Sequence, residues 1–213
     1  MARKFTGSFT QQEGLSQEAI AAAVAVLQSG RLHRYNLAPG EAGDVAQLEA
    51  EYRDWQGSAY CLAVTSGGQA LQIALRACGV EPGAKVLTNA YTLAPVPGAI
   101  RAVGAETVLV EIDEDLRLDL DDLDAKIASS GARVLLLSHM RGHLCDMDRL
   151  MAICNGAEVT VIEDCAHTMG AQWNGIRSGN FGKVACFSTQ TYKHMNSGEG
   201  GFLTTDDAAI AAR

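Results

Sequence analysis

A lysine embedded among hydrogen-bonding residues is the first place where chemistry suggests itself. It lies in Phe187-Ser188-Thr189-Gln190-Thr191-Tyr192-Lys193-His194-Met195-Asn196-Ser197-Gly198-Glu199-Gly200-Gly201. Held in a site, the Lys193 amine can have its pKa lowered and attack a carbonyl to form an imine; left in solvent, it is an ordinary loop lysine. A second group is Val161-Ile162-Glu163-Asp164-Cys165-Ala166-His167, where an acidic pair ends an apolar run and a histidine follows three residues on. Side chains alternate along a strand, so only one of Glu163 and Asp164 faces a crevice at its end. A carboxylate there could keep a bound heteroaromatic nitrogen protonated, or it could simply cap the next helix. Lysine imine plus an acid for a ring nitrogen is the pairing that pyridoxal phosphate (PLP) demands.

The third group is Thr65-Ser66-Gly67-Gly68-Gln69, directly after an apolar segment. Its glycines allow close backbone approach, and free N–H groups at a helix start attract an anion such as phosphate. The pattern matches neither the dinucleotide fingerprint nor the P-loop, and it also suits a plain strand-to-helix turn. One metal arrangement needs weighing: His139-x3-His143-x-Cys145-Asp146 offers zinc-type donors in a short loop, but no second cluster completes four ligands at a familiar spacing. No metal site is expected.

These residues need elements to position them. Apolar, β-branched segments occur at 61–65, 85–89, 107–112, 133–139, 160–164, 184–188 and 201–205. Helical periodicity fills 17–29, 44–56, 69–78, 95–103, 120–129 and 146–154, with Gly79 and Gly104 placed to end helices and Asp119 to Asp122 suited to a helix start. Runs such as VLLL are continuously apolar, as in strands covered on both faces. The expected fold class is therefore α/β, a three-layer, mostly parallel seven-stranded sheet. In such sheets ligands sit beyond the carboxyl ends of the strands, where Ser66, Asn89, Tyr91, His139, Asp164, His167 and Ser188 gather.

The chain has 213 residues, 47% of them hydrophobic and 20% charged, which is a globular composition. Its net charge of −8 excludes an overall basic footprint for nucleic acid or an anionic membrane. The longest apolar run, Ala19 to Leu27, is too short to span a bilayer, and MARKFTGSFTQQ lacks the apolar core of a signal peptide. Six cysteines without a C-x-x-C pair read as reduced, small hydrophobes. A cytoplasmic protein, bound neither to nucleic acid nor to membrane, is expected.

Taken in order, SGGQAL, VIEDCAHTMGA and FSTQTYKHMNSGEGG resemble the DegT/StrS-type aminotransferases, PLP enzymes acting on keto sugars and cyclitols. Gly30 to Tyr35, Ala90-Tyr91-Thr92, Ser138 to Gly142 with Asp146-Met147-Asp148, and Thr204 to Asp207 support the match from about residue 15 onward. The resemblance implies the large domain of the aspartate-aminotransferase type (PLP fold type I) over residues 1–213. It implies amino transfer from glutamate or glutamine to a keto sugar or cyclitol, in sugar-nucleotide, cell-envelope or secondary-metabolite biosynthesis, by a homodimer. Lys193 would form the imine with PLP and move protons between Cα and C4′. Asp164 would pair with the ring nitrogen, and His167 would lie against the ring or its phenolic oxygen. Ser66, Gly67, Gly68, Gln69 and Ser188 would cradle the phosphate. Glu199 belongs to a Gly-Glu-Gly-Gly turn whose role is structural or substrate-facing.

Two positions depart from the pattern. Leu93 stands where relatives often carry an aromatic residue that stacks on the ring, so either Tyr91 supplies that surface or the ring meets an aliphatic face. Ser-Gly-Gly-Gln replaces Ser-Gly-Thr-Ala, removing one hydroxyl that the Gln69 amide could replace. Family members carry a second, smaller C-terminal domain, so this chain is expected to be the PLP-binding part of a longer enzyme. Three other readings remain. A family dehydratase would carry histidine in place of Lys193. A non-catalytic or truncated domain could keep the fold for binding or regulation. A nucleotide-dependent oxidoreductase lacks its glycine fingerprint.

Overall fold

The computed structural model describes residues 6–8, 14–35 and 37–213. Much of MARKFTGSFTQQ, read above for a leader, lies outside them. Two compact units emerge, Met1–Gln47 and Leu48–Arg213.

In the first unit, helix α1 (Gln17–Ser29) starts at Ser16, whose hydroxyl accepts the Ala19 N–H, and ends at left-handed Gly30. None of its residues is buried, and Ile20, Val24, Val26 and Leu27 are exposed. Beyond it, Arg31 grips Glu41 with two hydrogen bonds of 2.6 and 2.8 Å. That contact holds the Glu41 carboxyl down at about 2.

The second unit carries the sheet. Its strands are β1 (Tyr60–Val64), β2 (Lys85–Asn89), β3 (Glu106–Val110), β4 (Val134–Ser138), β5 (Thr160–Asp164), β8 (Val184–Ser188) and β9 (Gly201–Thr205). A separate hairpin pairs β6 (Gln172–Trp173) with β7 (Ile176–Arg177). The sheet order is β1-β9-β8-β5-β4-β2-β3, and β9 alone runs against its neighbours. The expected seven-stranded, mostly parallel α/β sheet is therefore present. Four strands start and stop at the residues that the pattern indicated; the others shift by one or two residues, as at Ile112, which pairs instead with Leu118 in an isolated bridge.

Helices α2 (Asp44–Gln56), α3 (Gly67–Ala77), α4 (Pro95–Ala102), α5 (Leu120–Ser130), α6 (Met147–Gly156) and α7 (Ala208–Ala211) complete the chain. The strand alternation explains the layers. Leu136 and Ile162 face one way, into a core with Ala70, Leu71 and Leu75 of α3 and Ile100 of α4. Leu135, Leu137 and Val161 face the other, against Leu123 and Ile127 of α5 and Leu150 of α6. Each fully buried leucine contributes about 2 kcal/mol over its exposed state, so both faces of β4 hold the centre of the sheet.

Local caps set where the helices begin. Asp119 accepts the N–H groups of Asp121 and Asp122 at the start of α5, and left-handed Gly131 ends it. The hairpin turn, Asn174-Gly175, has both residues at positive φ, 49° and 81°. An Asn-Gly pair is a strong two-residue hairpin signal.

Candidate active site

Because the strands other than β9 run in parallel, the ends of β1, β4, β5 and β8 open on one edge of the sheet. A cavity of about 370 Å³ lies there. Ser66, Gly67, Gly68, Leu93, Ser138, Asp164, His167, Ser188, Gln190, Lys193 and Glu199 all line it. A larger open hollow of about 660 Å³ sits at the opposite edge, between Thr160, Lys183 and Asp206, where Lys183 is paired with Asp207.

The wall near α3 is built for an anion. Ser66 caps the helix, its hydroxyl accepting the Gln69 N–H at 3.0 Å. The Gly67 and Gly68 N–H groups stand in the first turn, where no intrahelical acceptor exists. A Cβ at Gly67 would come within 2.9 Å of the Ser188 Cβ, so glycine is what lets the loop and the end of β8 lie together. With the helix dipole behind them, these donors suit a phosphate. Gln69 lies outside this lining, and its N–H is spent on Ser66.

Register carries the acid into place. Ser138 on β4 is the direct partner of Asp164 on β5. The Thr92 hydroxyl donates to Ser138 Oγ at 2.7 Å, and Ser138 Oγ donates to Asp164 Oδ2 at 3.3 Å. Asp164 Oδ1 accepts the Ala166 N–H at 3.1 Å. Burial pushes this carboxyl above the usual carboxylate range, against the smaller opposing effects of these hydrogen bonds and of the Lys193 charge. Asp164 is half-buried, lines the cavity and has no ion-pair partner among the described residues. A carboxyl in that state suits a protonated ring nitrogen.

Glu163 takes the other face, as alternation requires. Completely buried, it accepts N–H groups from Gly179, Phe181 and Gly182 at 2.7 to 2.9 Å and meets His139 Nε2 at 3.0 Å. Burial alone would raise this carboxyl, but the His139 contact and the backbone donors hold it below its ordinary value. His139, Glu163 and Cys165 place their donor atoms within 4.8 Å of one another, but His143, Cys145 and Asp146 do not join them. The zinc-type loop therefore does not assemble. The Cys165 thiol is pushed far up by burial, and both Glu163 oxygens already accept backbone donors.

Glu163→Gln should destabilise the protein by about 3 kcal/mol, since an amide N–H would face backbone N–H groups inside the core. The Glu163 contribution is complete above the ordinary carboxylate range and fades as pH falls through the depressed value. The gap between wild-type and variant urea midpoints should accordingly shrink on acidification; equal midpoints at neutral pH would overturn this role.

Lys193 and His167 meet across the cavity, Nζ lying 2.8 Å from Nε2. Burial lowers the Lys193 pKa, Asp164 opposes that shift, and Arg141 adds to it. Burial and then the Lys193 charge depress His167 to about 4, so its ring is neutral at pH 7. The structure thus brings together Lys193, Asp164, His167, Ser66, Gly67, Gly68 and Ser188. Of the two candidates for the ring face, Leu93, on the turn into α4, lines the cavity and Tyr91 does not. Ser138 and Gln190 were not among the expected site residues; the signals for Ser138 were its strand-end position and its place at the start of a family-like stretch.

A family profile described as the DegT/DnrJ/EryC1/StrS aminotransferase family matches residues 14–213. A 3-amino-5-hydroxybenzoate synthase from Amycolatopsis mediterranei is 37% identical over 165 residues, 77% of this chain and 42% of the relative. An L-glutamine:2-deoxy-scyllo-inosose aminotransferase from Streptomyces kanamyceticus is 33% identical over 88% of this chain and 44% of its own length. The X-ray structure of an aminotransferase from Psychrobacter cryohalolentis superposes with a TM-score of 0.87 at 28% identity, covering 95% of this chain and 50% of that one. This chain spans less than half the length of the curated relatives it matches.

Proposed function

Because the chain belongs to the DegT/DnrJ/EryC1/StrS aminotransferase family, we propose that it is the PLP-binding large domain of an enzyme that transfers an amino group from glutamate or glutamine to a keto sugar or cyclitol. Its sheet has the PLP fold-type I architecture of the solved aminotransferases it resembles. One observation carries the reading: a lysine amine, a half-buried carboxyl with no ion-pair partner among the described residues and the N-terminus of α3 line a single cavity.

When bound, PLP supplies an aldehyde that condenses with amines and a pyridine ring that accepts an electron pair. Gly67 and Gly68 N–H groups, with Ser188 Oγ, bind its phosphate and fix its orientation. Asp164 Oδ2 holds a proton on the ring nitrogen, while Ser138 keeps that carboxyl turned toward the cavity. Leu93 and the aliphatic wall of Leu71 and Val96 exclude water from one side. Lys193 Nζ would be the amine that holds the cofactor and the base that moves a proton from the donor's α-carbon and to the acceptor carbon. The names of relatives that use glutamine and act on inososes support this substrate class, in the biosynthesis of amino sugars and cyclitols.

The test is reconstitution with PLP followed by borohydride. A cofactor mass on the Lys193 peptide, with amino transfer to a panel of keto sugars and inososes, supports the reading; a mass on another lysine, or none, overturns it.

The proposal extends to assembly and location. Six free cysteines suit a reducing cytoplasm, and no described helix is long and apolar enough to cross a membrane. The exposed apolar residues of α1, together with Arg34 and the exposed Tyr35, suit a homodimer contact. Sedimentation equilibrium across a dilution series should return twice the chain mass; a monomer at every concentration would exclude the dimer.

A further inference from the structure

The Lys193–His167 contact poses a proton-counting problem. His167 Nδ1 lies 3.2 Å from the Arg141 backbone nitrogen, which carries an N–H, and Nε2 lies 2.8 Å from Lys193 Nζ. A neutral imidazole has one N–H and one lone pair, so its two nitrogens cannot both accept. If Lys193 were an ammonium donating to Nε2, the ring proton would sit on Nδ1, directly opposing the Arg141 N–H. If the ring carried both protons, the same clash would remain, beside two cationic side chains. One arrangement satisfies both contacts: Nδ1 accepts from Arg141, Nε2 carries the proton, and Lys193 Nζ accepts it.

The backbone supports this choice. Arg141 adopts a left-handed conformation, φ 58° and ψ 17°, inside the single 3-10 turn Met140–Gly142. That conformation is costly for a residue with a side chain and persists where the surroundings impose it. The turn is tied to the sheet, since the His139 N–H donates to the Asp164 carbonyl. The donor that reads the ring is thus a fixed backbone group rather than a mobile side chain.

We propose that His167 is a positioning residue: the Arg141 N–H fixes its tautomer, and its Nε2–H then holds Lys193 Nζ as a free amine. This rests on the reading of Lys193 as the lysine that bonds PLP, because only the free amine attacks a carbonyl. The surrounding charges agree. Asp164 faces Lys193 from β5 with its carboxyl biased toward the neutral form, Arg141 faces it from the turn, and His194 and Glu199 flank it from its own loop. The arrangement keeps the amine ready to take up cofactor near neutral pH.

Two measurements on the unliganded chain test it. Nitrogen-15 NMR of labelled histidines, with the His167 ring assigned through the Arg141 amide, should show a neutral ring protonated on Nε2; a proton on Nδ1 overturns the proposal. Trinitrobenzenesulfonate labelling across pH, with Lys85 and Lys126 as internal references, reads the state of Lys193. In His167→Gln the amide oxygen can accept from an ammonium, so the Lys193 midpoint should rise. At a pH below both midpoints, a rise of half a unit lowers its labelling rate about threefold. An unchanged or faster rate overturns the proposal, and the NMR result does not depend on that variant folding. Neither measurement uses PLP, so failure of the aminotransferase reading appears separately, as absence of borohydride-fixed PLP on Lys193.

Discussion

On the proposed assignment, Lys193→Arg should lose covalent attachment of PLP, and amino transfer by the enzyme should fall by at least about 10³-fold. A guanidinium keeps the positive charge but offers no nucleophilic amine at neutral pH, and it cannot take a proton from a donor's α-carbon. Positioned proton transfer alone is worth roughly 10²- to 10⁴-fold. Phosphate contacts at Gly67, Gly68 and Ser188 are untouched, so reversible cofactor binding should survive at reduced affinity. Borohydride treatment followed by peptide mass spectrometry gives the decisive reading, with spectral titration reporting residual binding. A cofactor mass retained on the variant would move the reactive lysine elsewhere, with Lys183, the other lysine near β8, the first to examine.

Asp164→Asn produces the second large effect, and it should act in opposite directions on catalysis and stability. The amide keeps the shape of the carboxyl, and its oxygen can still accept the Ala166 N–H, but it carries no charge to hold a proton on the ring nitrogen. Turnover in the complete enzyme should fall about 10²- to 10³-fold, the scale of removing one preorganised electrostatic partner. Without cofactor, the wild-type carboxyl is half-buried, biased toward its neutral form and without an ion-pair partner among the described residues. Its folded-state pKa lies above the unfolded value, so stability is lost as pH rises from the ordinary carboxylate range through the raised one. Asn pays no such penalty, so the unliganded variant should melt higher than wild type at neutral pH, and the difference should vanish under acid. PLP should narrow the gap by supplying the missing charge partner. Near-normal turnover, or a variant that melts lower at neutral pH, would remove Asp164 from this role.

Ser138 and Asp164 show where local reading stops. Both lie at the ends of apolar runs, and both could be placed near the carboxyl edge of a sheet from sequence alone. That the Ser138 hydroxyl reaches Asp164 depends on β4 lying beside β5 with Ser138 opposite Asp164. Nothing within either five-residue segment encodes which strand is its neighbour. Glu163 and Asp164 divide the same way: period-two alternation requires opposite faces, but which face holds the cavity depends on how α3 and α4 cover one side and α5 and α6 the other.

By itself the sequence determined what is local: continuous apolar runs for the buried strands, the acidic run from Asp119 at a helix start, and the glycine pair that opens α3. Its ordered motifs also pointed to the family and named Lys193, Asp164, His167 and Ser188 as candidates, which the fold gathers around one cavity. Tertiary structure alone decided the rest. It turned Leu93 rather than Tyr91 into the cavity and spent the Gln69 N–H on Ser66. It folded His139 away from the zinc-type loop onto Glu163, and it set the Arg141 N–H against the His167 ring. The physical reason is range. Caps, turns and strand periodicity arise among residues a few positions apart, where backbone geometry dictates the contact. Strand order, register and side-chain convergence at the sheet edge are settled by burying apolar surface between segments distant in sequence.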